Sequence, residues 1–152
     1  SEGGKVFGIC NGFQILLECG LLPGVLIQNQ SRKFICKNVF VNIDNPDTSF
    51  TQGCGENRVL EIPIAHHQGS YYIDPYSLTE LEENGQIIFR YCDKSGNVSA
   101  ESNPNGSVGS VAGVANKQKN IMGMMPHPER CADPLLSKTD GQIIFQSLIS
   151  NS

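Results

Sequence analysis

Two short stretches at opposite ends of the chain hold residue types suited to acyl chemistry. The first is Gly8-Ile9-Cys10-Asn11-Gly12, where a cysteine sits between two glycines as an apolar, strand-like run gives way to a helix-like one. A nucleophile on such a turn is held in a strained backbone. Glycines two residues to either side remove Cβ atoms that would collide with neighbouring backbone. A helix starting beside the sulfur offers it free N–H groups, which favours thiolate over thiol. The Asn11 N–H would then point at the oxyanion formed when Cys10 attacks a carbonyl. The plain alternative is a buried core cysteine beside incidental glycines.

The second stretch, "MGMMPHPER", places His127 and Glu129 two apart with Pro126 and Pro128 interleaved. Residues preceding proline are pushed into extended backbone, and in extended backbone positions i and i+2 project to one side. Glu129 is therefore expected beside the His127 ring, fixing its tautomer and stabilising the imidazolium. Alone, the pair reads equally as a surface ion pair on a proline-stiffened loop. With the Gly-x-Cys-x-Gly turn at the other end of the chain, it predicts a Cys10–His127–Glu129 triad.

Other residues carry less. Gln14 lies about one helical turn beyond Cys10 and could turn its amide to the same pocket, or simply be solvated. His66 and His67 are adjacent and diverge along an extended chain, which is poor geometry for one metal ion; their loop is expected to be structural or to line a cleft. Arg130 and Asp133 are candidates for a local ion pair. The glycine-rich run Gly106–Gly113 follows a loop rather than a strand, and no Walker lysine motif occurs, so ATP phosphates have no cradle here.

The elements that must position these residues follow from periodicity. Lys5–Ile9 reads as a buried strand and Asn11–Cys19 as a helix stopped by Gly20. Leu21–Phe34 is loop-rich, Asn38–Ile43 a strand, and the polar run after it turn chemistry. Val59–Ala65 is a strand that tolerates Pro63 only at an edge or an end. Ser77–Glu83 is a short helix with Ser77 and Glu80 as a capping box. Gln86–Tyr91 is a strand and Asp93–Asn105 an exposed loop. Ser110–Val114 and Asn120–Met125 read as a hairpin turning at Asn116–Asn120. Thr139–Ile149 is an amphipathic helix with Ile143, Ile144, Leu148 and Ile149 on its apolar side.

The 152 residues, 39% of them hydrophobic, suffice for one core, so residues 1–152 are expected to form a single domain. A net charge of −4 without a Lys/Arg cluster argues against nucleic acid and acidic membrane surfaces as partners. The six cysteines form no C-x-x-C pair, and neither a signal peptide nor an eighteen-residue apolar run is present; a cytoplasmic location is expected. Asn29, Asn97 and Asn105 head N-x-[ST] triplets, which matter only in a secreted protein.

"GICNGFQIL" and "NGSVGSVAGV…NIMGMMPHPER" together resemble the class I (triad) glutamine amidotransferases. With "IAHHQGSYY" they are most similar to the stand-alone glutaminase subunits of phosphoribosylformylglycinamidine synthases of purine biosynthesis. The resemblance covers essentially the whole chain. It implies an α/β, flavodoxin-like three-layer α/β/α sandwich, with Cys10 as nucleophile, His127 as general base and then acid, and Glu129 as orienting carboxylate. Asn11, Gly12, Gln14 and His66 would contact glutamine. Ammonia would pass to a synthetase subunit that uses ATP and magnesium, with a small bridging subunit completing the complex; no metal or cofactor is expected in this chain. Family members carry a substantial portion ahead of the cysteine strand, including sheet strands and a loop with the second oxyanion donor. The sequence by itself is therefore expected to be a poor or inactive glutaminase, since losing one such donor costs roughly 10²–10³-fold in rate. Two other readings stay open at this level: a different cysteine-elbow hydrolase, and a non-catalytic scaffold of the same fold.

Overall fold

The computed structural model describes residues 4–55, 58–131 and 140–150, the side chains of 131 and 150 aside. Eleven main elements follow in order: β1 (Val6–Ile9), α1 (Asn11–Glu18), β2 (Val25–Ile27), β3 (Ile35–Ile43), β4 (Val59–His66), β5 (Ser70–Tyr72), α2 (Pro75–Glu83), β6 (Ile87–Cys92), β7 (Val111–Ala115), β8 (Ile121–Met124) and α3 (Gln142–Ser150). Six strands form one curled sheet in the order β1-β8-β7-β6-β3-β4, and β2 and β5 pair as a separate ribbon. Only β1 and β8 run parallel; the other neighbours are antiparallel, β7 and β8 forming the expected hairpin.

Alternation along β8 shows how the sheet separates two cores. Ile121 joins Phe13, Leu16 and Leu17 of α1 and Leu81 of α2 on one face. Met122 and Met124 join Ile144 of α3, Phe50 and the β3–β4 side chains on the other. Helices thus cover both faces, giving the three α/β/α layers expected. Gly123 lies between the two methionines on the α1 side, and a Cβ there would strike the Phe13 ring. Its bare backbone is what lets α1 lie flat on the strand.

β4 takes an edge of the six-stranded sheet, as Pro63 demands. Pro63 pairs with Asn38 yet needs no hydrogen bond from its missing N–H, so its carbonyl faces away from β3. Residues 61, 63 and 65 share that outward direction. All three are occupied: the Glu61 N–H donates to Asp140 Oδ2 (2.8 Å), the Pro63 carbonyl accepts from the His127 N–H (2.8 Å), and the Ala65 carbonyl faces the Cys10 thiol (3.8 Å).

Three sequence expectations need correction. The cap of α2 is Asp74, whose carboxylate accepts from the Ser77 N–H at 3.1 Å, with Pro75 in the first turn. A proline suits that position because its N–H would be unpaired anyway, so the helix starts before the Ser77–Glu80 pattern. In α3, Ile144 is buried but Ile149 is 73% exposed; Ser147 takes the inward place, its hydroxyl accepting from the Gly53 N–H at 2.8 Å. Within the segment expected to be loop, Val25–Ile27 pairs with Ser70–Tyr72. Asp133, the expected partner of Arg130, and Thr139, the expected start of α3, lie outside the described residues.

Candidate active site

β1 delivers Cys10 to the site and α1 begins at the next residue, so Cys10 alone makes the turn. Its N–H still donates to the Met124 carbonyl of β8 (2.8 Å), while its own carbonyl already accepts from the Gln14 N–H (3.1 Å). Serving strand and helix at once forces φ to 53° and ψ to −104°, a conformation that L-residues avoid outside functional turns. The two flanking glycines differ in their reasons. A Cβ on Gly8 would lie 2.6 Å from Leu16 Cδ1 and 2.7 Å from the Gly12 carbonyl oxygen, so Gly8 is what allows the helix to fold back on the strand. A Cβ on Gly12 would meet nothing within 4 Å, contrary to the steric role expected for it.

The sulfur is half-buried, and its thiol donates to the Ala65 carbonyl. Burial pushes the Cys10 thiol above its ordinary pKa; the Asn11 N–H and the Arg130 guanidinium pull the other way without prevailing. The helix start therefore acts in the expected direction, but desolvation outweighs it, and the resting group is the thiol.

His127 and Glu129 do meet: Nδ1 and Oε1 are 2.5 Å apart. The route differs from the extended stretch expected. Pro128–Cys131 forms a 3₁₀ turn, with the Arg130 N–H bonded to the His127 carbonyl (3.1 Å), so Glu129 curls back under the ring. Proline opens such a turn as readily as it ends a strand. The carboxylate favours a proton on Nδ1, so that in the neutral ring the lone pair is on Nε2. That Nε2 is buried and has no hydrogen-bond partner among the described residues.

Cys10, Asn11, Gln14, His66, His67, His127 and Arg130 line one cavity of about 440 Å³, with Phe34, Ala65, Gln68 and Met125 completing the wall. This size accommodates a small metabolite. Cys10 and His127 open onto it together but are not hydrogen-bonded to each other. Gln14 reaches the cavity while its Nε2 donates to Glu18 (3.1 Å). Gly12 is absent from the lining. His66 is among the lining residues, but both its ring nitrogens are engaged, Nδ1 with Asn29 Oδ1 (3.1 Å) and Nε2 with Asn105 Nδ2 (3.3 Å).

Arg130 is the formally charged side chain on this wall, a position that sequence reasoning considered only for an ion pair. Asn29 and Asn105 had drawn notice only as glycosylation triplets; both are 1% exposed. No local spacing marks them, because they reach His66 from separate loops. Among the described residues no three or more His, Cys, Asp or Glu side chains converge as a metal site would require, and no helix is long and apolar enough to cross a membrane.

Comparison with known proteins follows the same lines. The CobB/CobQ-like glutamine amidotransferase domain matches residues 1–144. Subunit PurQ of phosphoribosylformylglycinamidine synthase from Pelagibacter ubique is 55% identical over 149 residues, covering 98% of this chain and 65% of that protein. The same subunit from Aquifex aeolicus is 52% identical over 150 residues, covering 99% of this chain and 66% of the relative. The chain thus spans about two thirds of the length of the curated relatives it matches. In the structure of PurLQS from Thermotoga maritima, one chain superposes with a TM-score of 0.82 at 40% identity, covering 99% of this chain and 63% of that one. A Thermotoga maritima glutamine amidotransferase at 14% identity (TM-score 0.56, covering 95% of this chain and 60% of that one) shares the fold.

Proposed function

The chain belongs to the CobB/CobQ-like glutamine amidotransferase family, and from that premise we propose that it works as the glutaminase subunit of phosphoribosylformylglycinamidine synthase. One observation carries the reading. A histidine bonded to a carboxylate through Nδ1 keeps a buried Nε2, unpartnered among the described residues, on the wall of the same cavity as a cysteine on a strained turn.

In this reading Nε2 of His127 takes the Cys10 proton as sulfur attacks the side-chain amide carbon of glutamine. Glu129 stabilises the imidazolium so formed. The tetrahedral oxyanion lies against the Asn11 N–H, a first-turn donor of α1 that already faces the Cys10 sulfur in the resting site. His127 returns the proton to the departing nitrogen, and ammonia leaves a γ-glutamyl thioester. Water, deprotonated by His127, attacks that thioester; glutamate departs and the thiol is restored. Asn11 and Gln14 hold the substrate in the cavity and His66 forms part of its wall, while Gly12 stands outside the lining.

Relatives named as subunits of this synthase, at about half identity, support the purine assignment. The PurLQS likeness supports delivery of ammonia to a synthetase subunit, with a small third subunit in the complex. The ATP and magnesium of the amination step belong, in this reading, to the synthetase.

A diazo-ketone analogue of glutamine is expected to alkylate Cys10 and to be competed by glutamine. In the reconstituted complex, Cys10→Ala is expected to abolish glutamine-dependent synthesis while sparing synthesis from added ammonia. Labelling elsewhere, or glutamine-dependent synthesis surviving in Cys10→Ala, defeats the reading.

A further inference from the structure

Behind the cavity lies a set of buried polar side chains that the proposed chemistry does not use. Asn29, His66, Asn105 and Ser107 are each at most 4% exposed. Asn29 Oδ1 accepts the Gly69 N–H (3.1 Å), so this oxygen faces His66 Nδ1 as an acceptor. Asn105 Oδ1 accepts the Ser107 N–H (3.1 Å), which turns its Nδ2 toward His66 Nε2 as a donor. Backbone groups that cannot flip thereby orient both amides, and the amides dictate the ring: proton on Nδ1, lone pair on Nε2. A second proton would set an Nε2–H against the Asn105 amide hydrogens. Burial and the nearby His127 act in the same direction, holding the His66 pKa down to about 4.

Asn29 also grips the main chain of the same residue, its Nδ2 donating to the His66 carbonyl at 2.9 Å. One peptide earlier is the Ala65 carbonyl, which accepts the Cys10 thiol. Two residues earlier still, the Pro63 carbonyl holds the His127 amide. The two reacting groups therefore take their positions from a single strand end, and the anchored His66 ring terminates that strand.

We propose that His66 is a positioning residue for the nucleophile: two asparagines lock its ring as one neutral tautomer, and the residue so anchored holds the Ala65 carbonyl as the resting partner of the Cys10 thiol. This rests on the reading of Cys10 as the nucleophile and reassigns His66 from substrate contact to support. With both nitrogens taken, the ring offers a ligand only its carbon edge.

In the natural full-length protein, ¹⁵N NMR is expected to show His66 as the Nδ1–H tautomer with shifts constant between about pH 8 and about pH 5.5. An Nε2–H form, or titration near the ordinary value of about 6.5, overturns the proposal. His66→Leu fills the space without nitrogens. It is expected to lower kcat for glutamine hydrolysis about 10- to 100-fold, as small misplacements of reacting groups do, with KM moved by less than about threefold. The pH midpoint of Cys10 alkylation by chloroacetamide is expected to fall, because the thiol loses an acceptor that favours its protonated form. His66→Asn keeps a donor near Nδ1 and is expected to recover part of both effects. A folded His66→Leu protein with unchanged kcat and alkylation midpoint overturns the proposal; should it not fold, the tautomer and His66→Asn decide. Absence of glutamine turnover in the unsubstituted protein would defeat the glutaminase reading, while the NMR and alkylation arms still judge the clamp.

Discussion

The backbone N–H of His127 donates to the carbonyl of Pro63 at 2.8 Å, tying the proposed base to the outward side of β4. Cys10 reaches that strand two residues further on, at Ala65. The sheet curls so that the strand at one edge meets the ends of β1 and β8 from the opposite edge. Residues more than a hundred positions apart thereby share one reference surface, and the geometry between Cys10 and His127 is a property of the sheet rather than of either loop.

The close fit between β1 and α1 sets apart the two glycines of the turn. Gly8→Ala forces a Cβ into the Gly12 backbone and is expected to destabilise the protein by about 1–3 kcal/mol, measured by urea unfolding. Gly12→Ala meets open space and is expected to leave the unfolding midpoint nearly unchanged. Equal losses for the two variants would show that the steric argument is misplaced.

In the proposed mechanism Glu129 acts through the His127 ring, to which it is bonded at Nδ1. Glu129→Gln can present either an oxygen or an NH₂ to Nδ1 and no longer fixes the proton there. Glutaminase kcat is expected to fall roughly 10²–10⁴-fold, the range seen when such a carboxylate is neutralised, with thermal stability close to that of the parent. A loss below tenfold in steady-state assays would remove Glu129 from the mechanism.

The start of α2 offers a test that is independent of activity. Asp74→Ala removes the acceptor for both the Ser77 N–H and the Ser77 hydroxyl and is expected to lower the unfolding midpoint measurably, whereas Ser77→Ala keeps the N–H bond and is expected to lower it less. Bonding to Ser77 also holds the Asp74 carboxyl below its ordinary pKa. The Asp74 contribution is therefore present above the ordinary carboxylate range and fades as pH falls through the depressed value. The reverse ranking of the two variants would restore Ser77 as the cap.

His66 predicts an acid-side weakness of the fold. Its pKa drops from 6.5 to about 4 on folding, so between those values the unfolded chain binds more protons than the folded one, and stability rises with pH. Its contribution, on the order of 3 kcal/mol, is complete above about pH 6.5 and is lost as pH falls toward 4. Chemical denaturation at a series of pH values reads the slope; His66→Leu is expected to flatten it. An unchanged slope in that variant would assign the acid sensitivity to other groups.

Much of the site was legible because its signals are local. Cys10 stands where strand period changes to helix period between two glycines, and His127 and Glu129 are two apart. The hairpin of β7 and β8 announced itself as two apolar runs around a polar turn, and Pro63 limited β4 to an edge. What escaped depends on contacts distant in sequence. Asn29 and Asn105 sit in separate polar loops and become partners of His66 only through tertiary packing. The balance at Cys10 was misjudged for the same reason: a helix start can be read from sequence, but the burial that outweighs it cannot. Glu129 was placed correctly through the wrong backbone, since a proline after histidine permits a tight turn as well as an extended continuation.

The occupied outer side of β4 also bears on how the protein avoids sticking to itself. A sheet margin with free amides and carbonyls recruits strands from other molecules, which is a common route to fibrils. Here a proline removes one donor, and Asp140, His127 and Cys10 cap three of the remaining groups. The same contacts that set the reacting atoms blunt a template for aggregation, so damage to the site would also cost the molecule its protection in a crowded solution.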